Sequence, residues 1–102
     1  MFDYGFDYKH DPTYQYGVLY HDCNQIELEA TQLYLVACEA MATACTATAP
    51  YLIECYGAAE RALRARYKGL IAPVIRAEDK RALNALVSAR LYLNIVRERL
   101  RS

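Results

Sequence analysis

Four cysteines are the residues of this chain best suited to chemistry, because thiolates bind metals and attack electrophiles. They all lie in the first 55 residues, at Cys23, Cys38, Cys45 and Cys55. On a helix, Cys38 and Cys45 would share a face but lie about 10.5 Å apart along the axis, too far for a disulfide. No Cys-x-x-Cys pair and no His-x-x-x-His completes a zinc site. We therefore predict no metal and no cofactor, and interpret the cysteines as reduced side chains that fill a core.

A disulfide between Cys45 and Cys55 across a helical hairpin is geometrically possible, although the spacing does not require it. Nucleophilic catalysis has one local candidate, the run His21-Asp22-Cys23. Adjacent residues do not generally face one another, and this run is typical of polar residues that lead into a helix. No glycine-rich oxyanion or phosphate loop is present, and the carboxylates lack the Glu-x-x-His pattern of dinuclear metal sites. The sequence therefore predicts a protein without enzymatic activity.

Basic residues in the second half form the one remaining constellation. The candidate basic surface consists of Arg61, Arg64, Lys68, Arg97, Arg99 and Arg101. Arginine outnumbers lysine nine to two in residues 61–102, which favours planar pairing with carboxylate or phosphate. Three interpretations stay open: a solvated, salt-bridged helix surface, contact with an acidic subunit, or contact with nucleic acid. No nucleic-acid-binding module is recognisable.

The net charge of zero hides a strong asymmetry. Residues 1–60 hold nine acidic residues and one basic residue, a charge of −8, whereas residues 61–102 hold eleven basic and three acidic residues, a charge of +8. Such a split indicates charged interaction surfaces. The halves neutralise each other within one monomer, or the acidic end of one copy meets the basic end of the next, or the basic half binds nucleic acid.

The first 21 residues carry seven of the twelve aromatic residues, in alternating order. A period of two is typical of a strand, and Asp11-Pro12 is typical of a turn. The pattern predicts an extended arm over residues 1–21, either a β-hairpin or a single strand, although Gly5 and Gly17 weaken the hairpin. The arm docks on a neighbouring subunit, packs on its own helices, or lacks order. Its candidate interface residues are Phe2, Tyr4, Phe6, Tyr8, Tyr14, Tyr16 and Tyr20.

A first helix is predicted over residues 24–48, with Asn24 as its N-cap and Glu29 favourable near the same end. Its main buried face has spacings of three and four and consists of Ile26, Ala30, Leu33, Ala37, Met41 and Ala44. A second apolar side that needs its own neighbours consists of Leu28, Leu35, Ala42 and Cys45. Pro50 then starts a second helix over residues 50–68, or bends a single long helix.

The second helix is predicted to bury one apolar stripe and to end at Gly69. The stripe consists of Leu52, Tyr56, Ala59, Leu63 and Tyr67, and the exposed side of Glu60, Arg61, Arg64 and Lys68. The apolar run at 70–75, which contains Pro73, is interpreted as a connection pinned onto the core.

The third helix is predicted over residues 77–101, with Glu78 and Asp79 in its first turn and arginines in its last. Its buried face consists of Ala82, Leu86, Ala89, Leu93, Val96 and Leu100. An adjacent apolar row consists of Leu83, Val87, Leu91 and Ile95. An apolar face this wide serves a core and a subunit interface together.

These patterns predict an all-α protein: a small three-helix bundle over residues 22–102, preceded by the Tyr-rich arm. The function expected is that of a structural subunit that self-associates or inserts into a larger complex, such as a ring, neck or capsid-accessory component of a phage or virion. The alternative is a small nucleic-acid-associated regulator, or a protein inhibitor, acting through the basic half or the arm. We expect a cytoplasmic or virion location, since no signal peptide or membrane span is recognisable.

Overall fold

The computed structural model describes residues 12–101, with side chains from Gly17 onward. This part of the chain forms three helices: α1 (Pro12–Thr43), α2 (Ala49–Ala77) and α3 (Lys80–Arg101). Each helix contacts the other two, and the α1–α3 interface is the most extensive. Pairs of cross-helix contacts show that α2 runs antiparallel to α3 and that α1 runs parallel to α3, so α1 and α2 are antiparallel as well. The predicted all-α three-helix bundle is confirmed.

The first helix begins at Pro12, well before the predicted start at Asn24. The prediction of an extended arm is therefore wrong for residues 12–21, and Tyr14, Tyr16 and Tyr20 belong to a helix. Pro suits the first helical position because its fixed φ is already helical and its missing N–H leaves no bond unmade. The predicted interface residues Phe2, Tyr4, Phe6 and Tyr8 lie outside the described residues.

Tertiary packing explains why the aromatic alternation misled the prediction. Leu19, Cys23 and Ile26 follow one another at spacings of four and three, which continues the buried face of α1 towards its N-terminus. Leu19 and Tyr20 pack against a core cluster, and Cys23 is fully buried. Burial of that face outweighs the small helix-propensity cost of the tyrosines.

The first helix ends earlier than predicted, so a short non-helical connection separates α1 from α2. α1 ends at Thr43, where the prediction extended it to residue 48. The hydroxyl of Thr48 donates to the carbonyl oxygen of Cys45 at 3.3 Å and accepts a bond from the Cys45 N–H at 3.3 Å. α2 then starts at Ala49 with Pro50 in its first turn, so two helices form, as predicted, and not one bent helix.

The second helix runs past Gly69 and through Pro73 to Ala77, so the predicted stop at Gly69 and the predicted apolar connection are wrong. A C-terminal glycine cap would require a positive φ at Gly69, but the φ of Gly69 is not positive. Helix through this run buries Val74 in a core cluster, with Leu70 and Ile71 beside it. Pro73 lacks an N–H and cannot donate the helical hydrogen bond to the Gly69 carbonyl. The burial of Val74 offsets the loss of that bond.

The chain reverses at two acidic residues, which the prediction had placed in the first turn of α3. Glu78 adopts the left-handed conformation (φ 54°, ψ 36°), and its N–H donates to the Ile75 carbonyl at 3.2 Å. Asp79 caps α3, since its Oδ1 accepts bonds from the N–H groups of Arg81 (3.1 Å) and Ala82 (3.2 Å). The helix begins at Lys80, slightly later than predicted, and Arg99 and Arg101 lie in its last turn, as expected.

The core consists of two clusters along the bundle. The larger joins all three helices through Ile26, Ala30, Leu33, Ala37, Leu63, Ala89, Leu93, Val96 and Leu100. The smaller lies near the α2–α3 turn and consists of Cys23, Val74, Ala82, Ala85 and Leu86. Every residue predicted for the buried face of α3 is buried, and so are the first four predicted for α1.

Candidate functional site

An exposed apolar row follows α3 on the side away from the core. Leu83, Val87, Leu91 and Ile95 are spaced four apart, and the first three are exposed, with 58% of both Val87 and Leu91 accessible to solvent. Ile95 is half-buried. The buried face of α3 is complete without them. We call these four residues the α3 row. Their apolar side chains are not part of the core.

A second set of exposed apolar residues lies on the outer side of α1. Leu28 and Leu35 are both more than half exposed. They are the residues for which a second set of neighbours was predicted, and Ala42 and Cys45 of the same set are exposed too. Because α1 and α3 run parallel with Tyr34 against Tyr92, Leu28 lies near the level of Val87 and Leu35 near that of Ile95.

A buried carboxylate joins α2 to α3. Glu60, predicted to be exposed, is only 4% exposed. Its Oε2 accepts a bond from Nε of Arg64, one helical turn later, at 2.5 Å, and lies 3.4 Å from Nη2 of Arg97 on α3. Arg64 also donates from Nη2 to the side-chain oxygen of Asn94 at 3.1 Å. The prediction of an exposed Glu60 failed because Glu60 borders the apolar stripe of α2 and faces α3. There Arg97 supplies the opposite charge that a buried carboxylate needs.

The predicted basic surface is therefore divided between two roles. Arg64 and Arg97 point to Glu60 and serve the α2–α3 interface. Arg61, Lys68, Arg99 and Arg101 are exposed. Arg101 lies 4.0 Å from Glu98 in the last turn of α3. These two arginines of the predicted surface, Arg64 and Arg97, are thus already paired with a carboxylate.

An ion pair that sequence reasoning missed ties α1 to α2. Arg66 donates from Nη1 and Nη2 to the two carboxylate oxygens of Glu29, at 2.8 and 3.2 Å. The bond from Arg66 holds the pKa of Glu29 below its ordinary value, and the carboxylate raises the pKa of Arg66. Glu29 was assigned to a helix N-terminus, but it lies in the middle of α1. Only the antiparallel pairing of the helices brings the two residues together.

Two aromatic contacts tie α1 to α3. The guanidinium carbon of Arg81 lies 4.2 Å from the centre of the Tyr20 ring, a cation–π contact. The rings of Tyr34 and Tyr92 have centroids 5.1 Å apart, tilted by 43°. Of the aromatic residues predicted to form an interface, Tyr20 is the one whose side chain is described, and it is half-buried within its own bundle.

The four thiols are free and differ strongly in environment. Cys23 is buried, and burial together with Asp22 and Asp79 raises its pKa to about 11. Cys45 and Cys55 are exposed, so the interpretation of all four as core filling is wrong for these two. Hydrogen bonds from Thr48 lower the pKa of Cys45. The predicted core role fits Cys23 best, because it alone of the four is fully enclosed.

Among the side chains that the structure describes, no three His, Cys, Asp or Glu residues come together as a metal site would require. Within residues 12–101, no helix combines the length and apolarity needed to cross a bilayer. Comparison with known proteins found no matching family model, no matching curated protein and no matching solved structure.

Proposed function

We propose that this protein is a non-enzymatic structural subunit that associates with copies of itself or inserts into a larger assembly. The observation that carries the proposal is the α3 row: consecutive apolar side chains, one helical turn apart, exposed outside a core that is complete without them. Isolated exposed apolar residues are ordinary, whereas a contiguous row is typical of an interaction surface.

The outer side of α1 adds to this argument. Leu28 and Leu35 expose further apolar surface on the helix that lies beside α3. The elongated shape of the bundle, 54 × 27 × 17 Å, presents long helix faces. Long faces suit lateral packing of subunits, as in the ring, neck or capsid-accessory proteins of phages and virions.

Light scattering of the purified chain, over a wide range of concentration and ionic strength, tests the proposal. A subunit of an assembly has a mass above that of the monomer, and its apolar contacts persist in high salt, where surface ion pairs are screened. A compact monomer under every condition contradicts self-association. Insertion into a larger assembly is then tested by affinity capture with a Val87→Glu variant as the control.

A second candidate function is binding of nucleic acid through the basic half. The exposed positions of Arg61, Lys68, Arg99 and Arg101 favour it. Any such binding weakens steeply as salt rises, because phosphate contacts release counterions. Reversing the charge at Arg61 and Lys68 should reduce the affinity for duplex DNA and for RNA. If the affinity and its salt dependence are unchanged in that variant, this candidate is excluded.

A further inference from the structure

The apolar residues of the α3 row are placed symmetrically about Ala89, and a charged residue lies beyond each end of the row. Positions four apart along this side of the helix are Leu83, Val87, Leu91 and Ile95. Lys80 lies at the N-terminal end of this side and Glu98 at its C-terminal end, each nine residues from Ala89. A reversed copy of this face is therefore its own charge complement.

We propose that α3 is the seam of a symmetric antiparallel homodimer, in which a second copy of this chain covers the α3 row. The two-fold axis passes near the level of Ala89. Val87 then lies against Leu91 of the second copy, and Lys80 lies beside Glu98 of the second copy. This inference rests on the proposed function and deepens it, since it names the partner, the surface and the direction of the helices.

The spacing of the row gives the seam its geometry. Residues four apart form a ridge that is inclined to the helix axis, and the ridge of one copy packs beside the ridge of the other. In a two-fold arrangement the same patch serves both partners, so Leu83 meets Ile95 and Ile95 meets Leu83. Association buries the side chains of Val87 and Leu91, and each of these is more than half exposed to solvent in the monomer.

The charges at the ends of the row select the antiparallel direction. A parallel pair in register would bring Lys80 to Lys80 and Glu98 to Glu98, so each end would meet its own charge. The antiparallel pair brings base to acid at both ends, through Lys80 of each copy with Glu98 of the other. Glu98 also lies 4.0 Å from Arg101 of its own chain, where both side chains are largely exposed.

One like-charged pair also comes to the same level in this arrangement. Arg81 and Arg97 are as far from Ala89 as each other, on opposite sides. They lie on the flanks of α3 instead of its outer face, because Arg81 stacks on Tyr20 of α1 and Arg97 reaches Glu60 of α2. Each is therefore held against its own chain and does not oppose the seam.

A helix from an unrelated protein would also cover an apolar row, but it requires no relation between the two ends of α3. A second, antiparallel copy places a base opposite an acid at both ends of the row, and this favours the homodimer. An unrelated helix remains a separate outcome of the test, since the free chain would then show no mass above that of a monomer.

Sedimentation equilibrium of the full chain from micromolar to near-millimolar concentration tests the seam. We expect the wild type to change from monomer to dimer, and Val87→Glu to remain a monomer with unchanged helical circular dichroism. Val36→Glu is the matched control, because Val36 is 49% exposed on α1, where it borders α2 and not α3. This control should dimerise like the wild type.

Charge exchange at two exposed residues tests the direction of the helices. Lys80→Glu and Glu98→Lys should each raise the dimer dissociation constant about tenfold, because two symmetry-related pairs change from attraction to repulsion. The double variant should return close to the wild-type value. Single and double variants that dimerise like the wild type overturn the antiparallel seam.

The outcomes also separate this inference from the proposed function. If the wild type associates and Val87→Glu associates equally well, another surface joins the subunits: the seam is wrong and the structural function stands. If the wild type stays a monomer at every concentration and salt, the seam and self-association both fall.

Discussion

Arg97 of α3 meets Glu60 of α2 across the helix interface, with Nη2 3.4 Å from Oε2. Glu60 is the last acidic residue of the acidic half of the chain, and Arg97 belongs to the basic half. The pair between Glu29 and Arg66 joins the halves in the same way. Part of the −8/+8 split is therefore neutralised within the monomer.

Replacing Glu60 by Ala should lower the free energy of unfolding by about 2–4 kcal/mol. The substitution leaves the nearly buried guanidinium of Arg64 without its carboxylate and removes the contact to Arg97. Urea unfolding measures the loss. Glu54→Ala, at an exposed position on the same helix, should change the stability by less than about 0.5 kcal/mol. Equal effects of the two substitutions would contradict the role of the buried pair.

The ion pair between Glu29 and Arg66 should show a coupling free energy of about 0.5–1 kcal/mol in a double-mutant cycle with Glu29→Gln and Arg66→Gln. Both side chains are partly exposed, so the coupling should be small and should decrease in high salt. Because the folded pKa of Glu29 is lowered, the coupling is present near neutral pH and is lost as the carboxylate protonates in acid. A coupling that persists in acid would show that packing, and not charge, joins the two residues.

Replacing Gly69 by Ala should raise the free energy of unfolding by roughly 0.5–1 kcal/mol, because Gly69 lies inside α2 and a new Cβ would meet open space. Thermal and urea unfolding measure the gain. Gly57→Ala is the paired control and should gain less, since its Cβ would lie 3.2 Å from Nη1 of Arg61. A destabilising Gly69→Ala would indicate a left-handed cap at that position.

The thiol of Cys23 should make the fold less stable in alkali. Its folded pKa of about 11 exceeds the ordinary value of 9.0, so the unfolded chain loses the proton first as the pH rises. The stability advantage of wild type over Cys23→Ala should therefore decrease by about 2 kcal/mol between about pH 8 and pH 11. Urea unfolding of both proteins at a series of pH values measures the difference. A constant difference would mean that this thiol ionises as easily in the folded protein as in the unfolded chain.

The buried faces were predictable because apolar residues spaced three and four apart lie on one side of a helix, and that side is the one that is buried. The face of α3 from Ala82 to Leu100 and that of α1 from Ile26 to Ala37 follow this rule without exception. The ends of the helices were not predictable in the same way. Aromatic alternation before Asn24 and the pair Gly69 and Pro73 gave local signals for an arm and a stop, and tertiary burial of Leu19 and Val74 overrode both.

The candidate site was predictable only in part. The α3 row and the second side of α1 were identified as additional apolar surface, and both sets are largely exposed. The burial of Glu60 and the pairing of Glu29 with Arg66 could not be read from the sequence, because each depends on the register between two helices. Periodicity defines the face of a helix on which a residue lies but not the neighbour that the face meets.

The most extensive interface in the bundle joins the first and last helices, and this governs the order in which the fold can form. When α1 and α2 have left the ribosome, Ile26, Ala30 and Ala37 still lack the residues of α3 that enclose them. The nascent chain therefore exposes its core stripe until α3 is made, a stage at which hydrophobic surface invites aggregation.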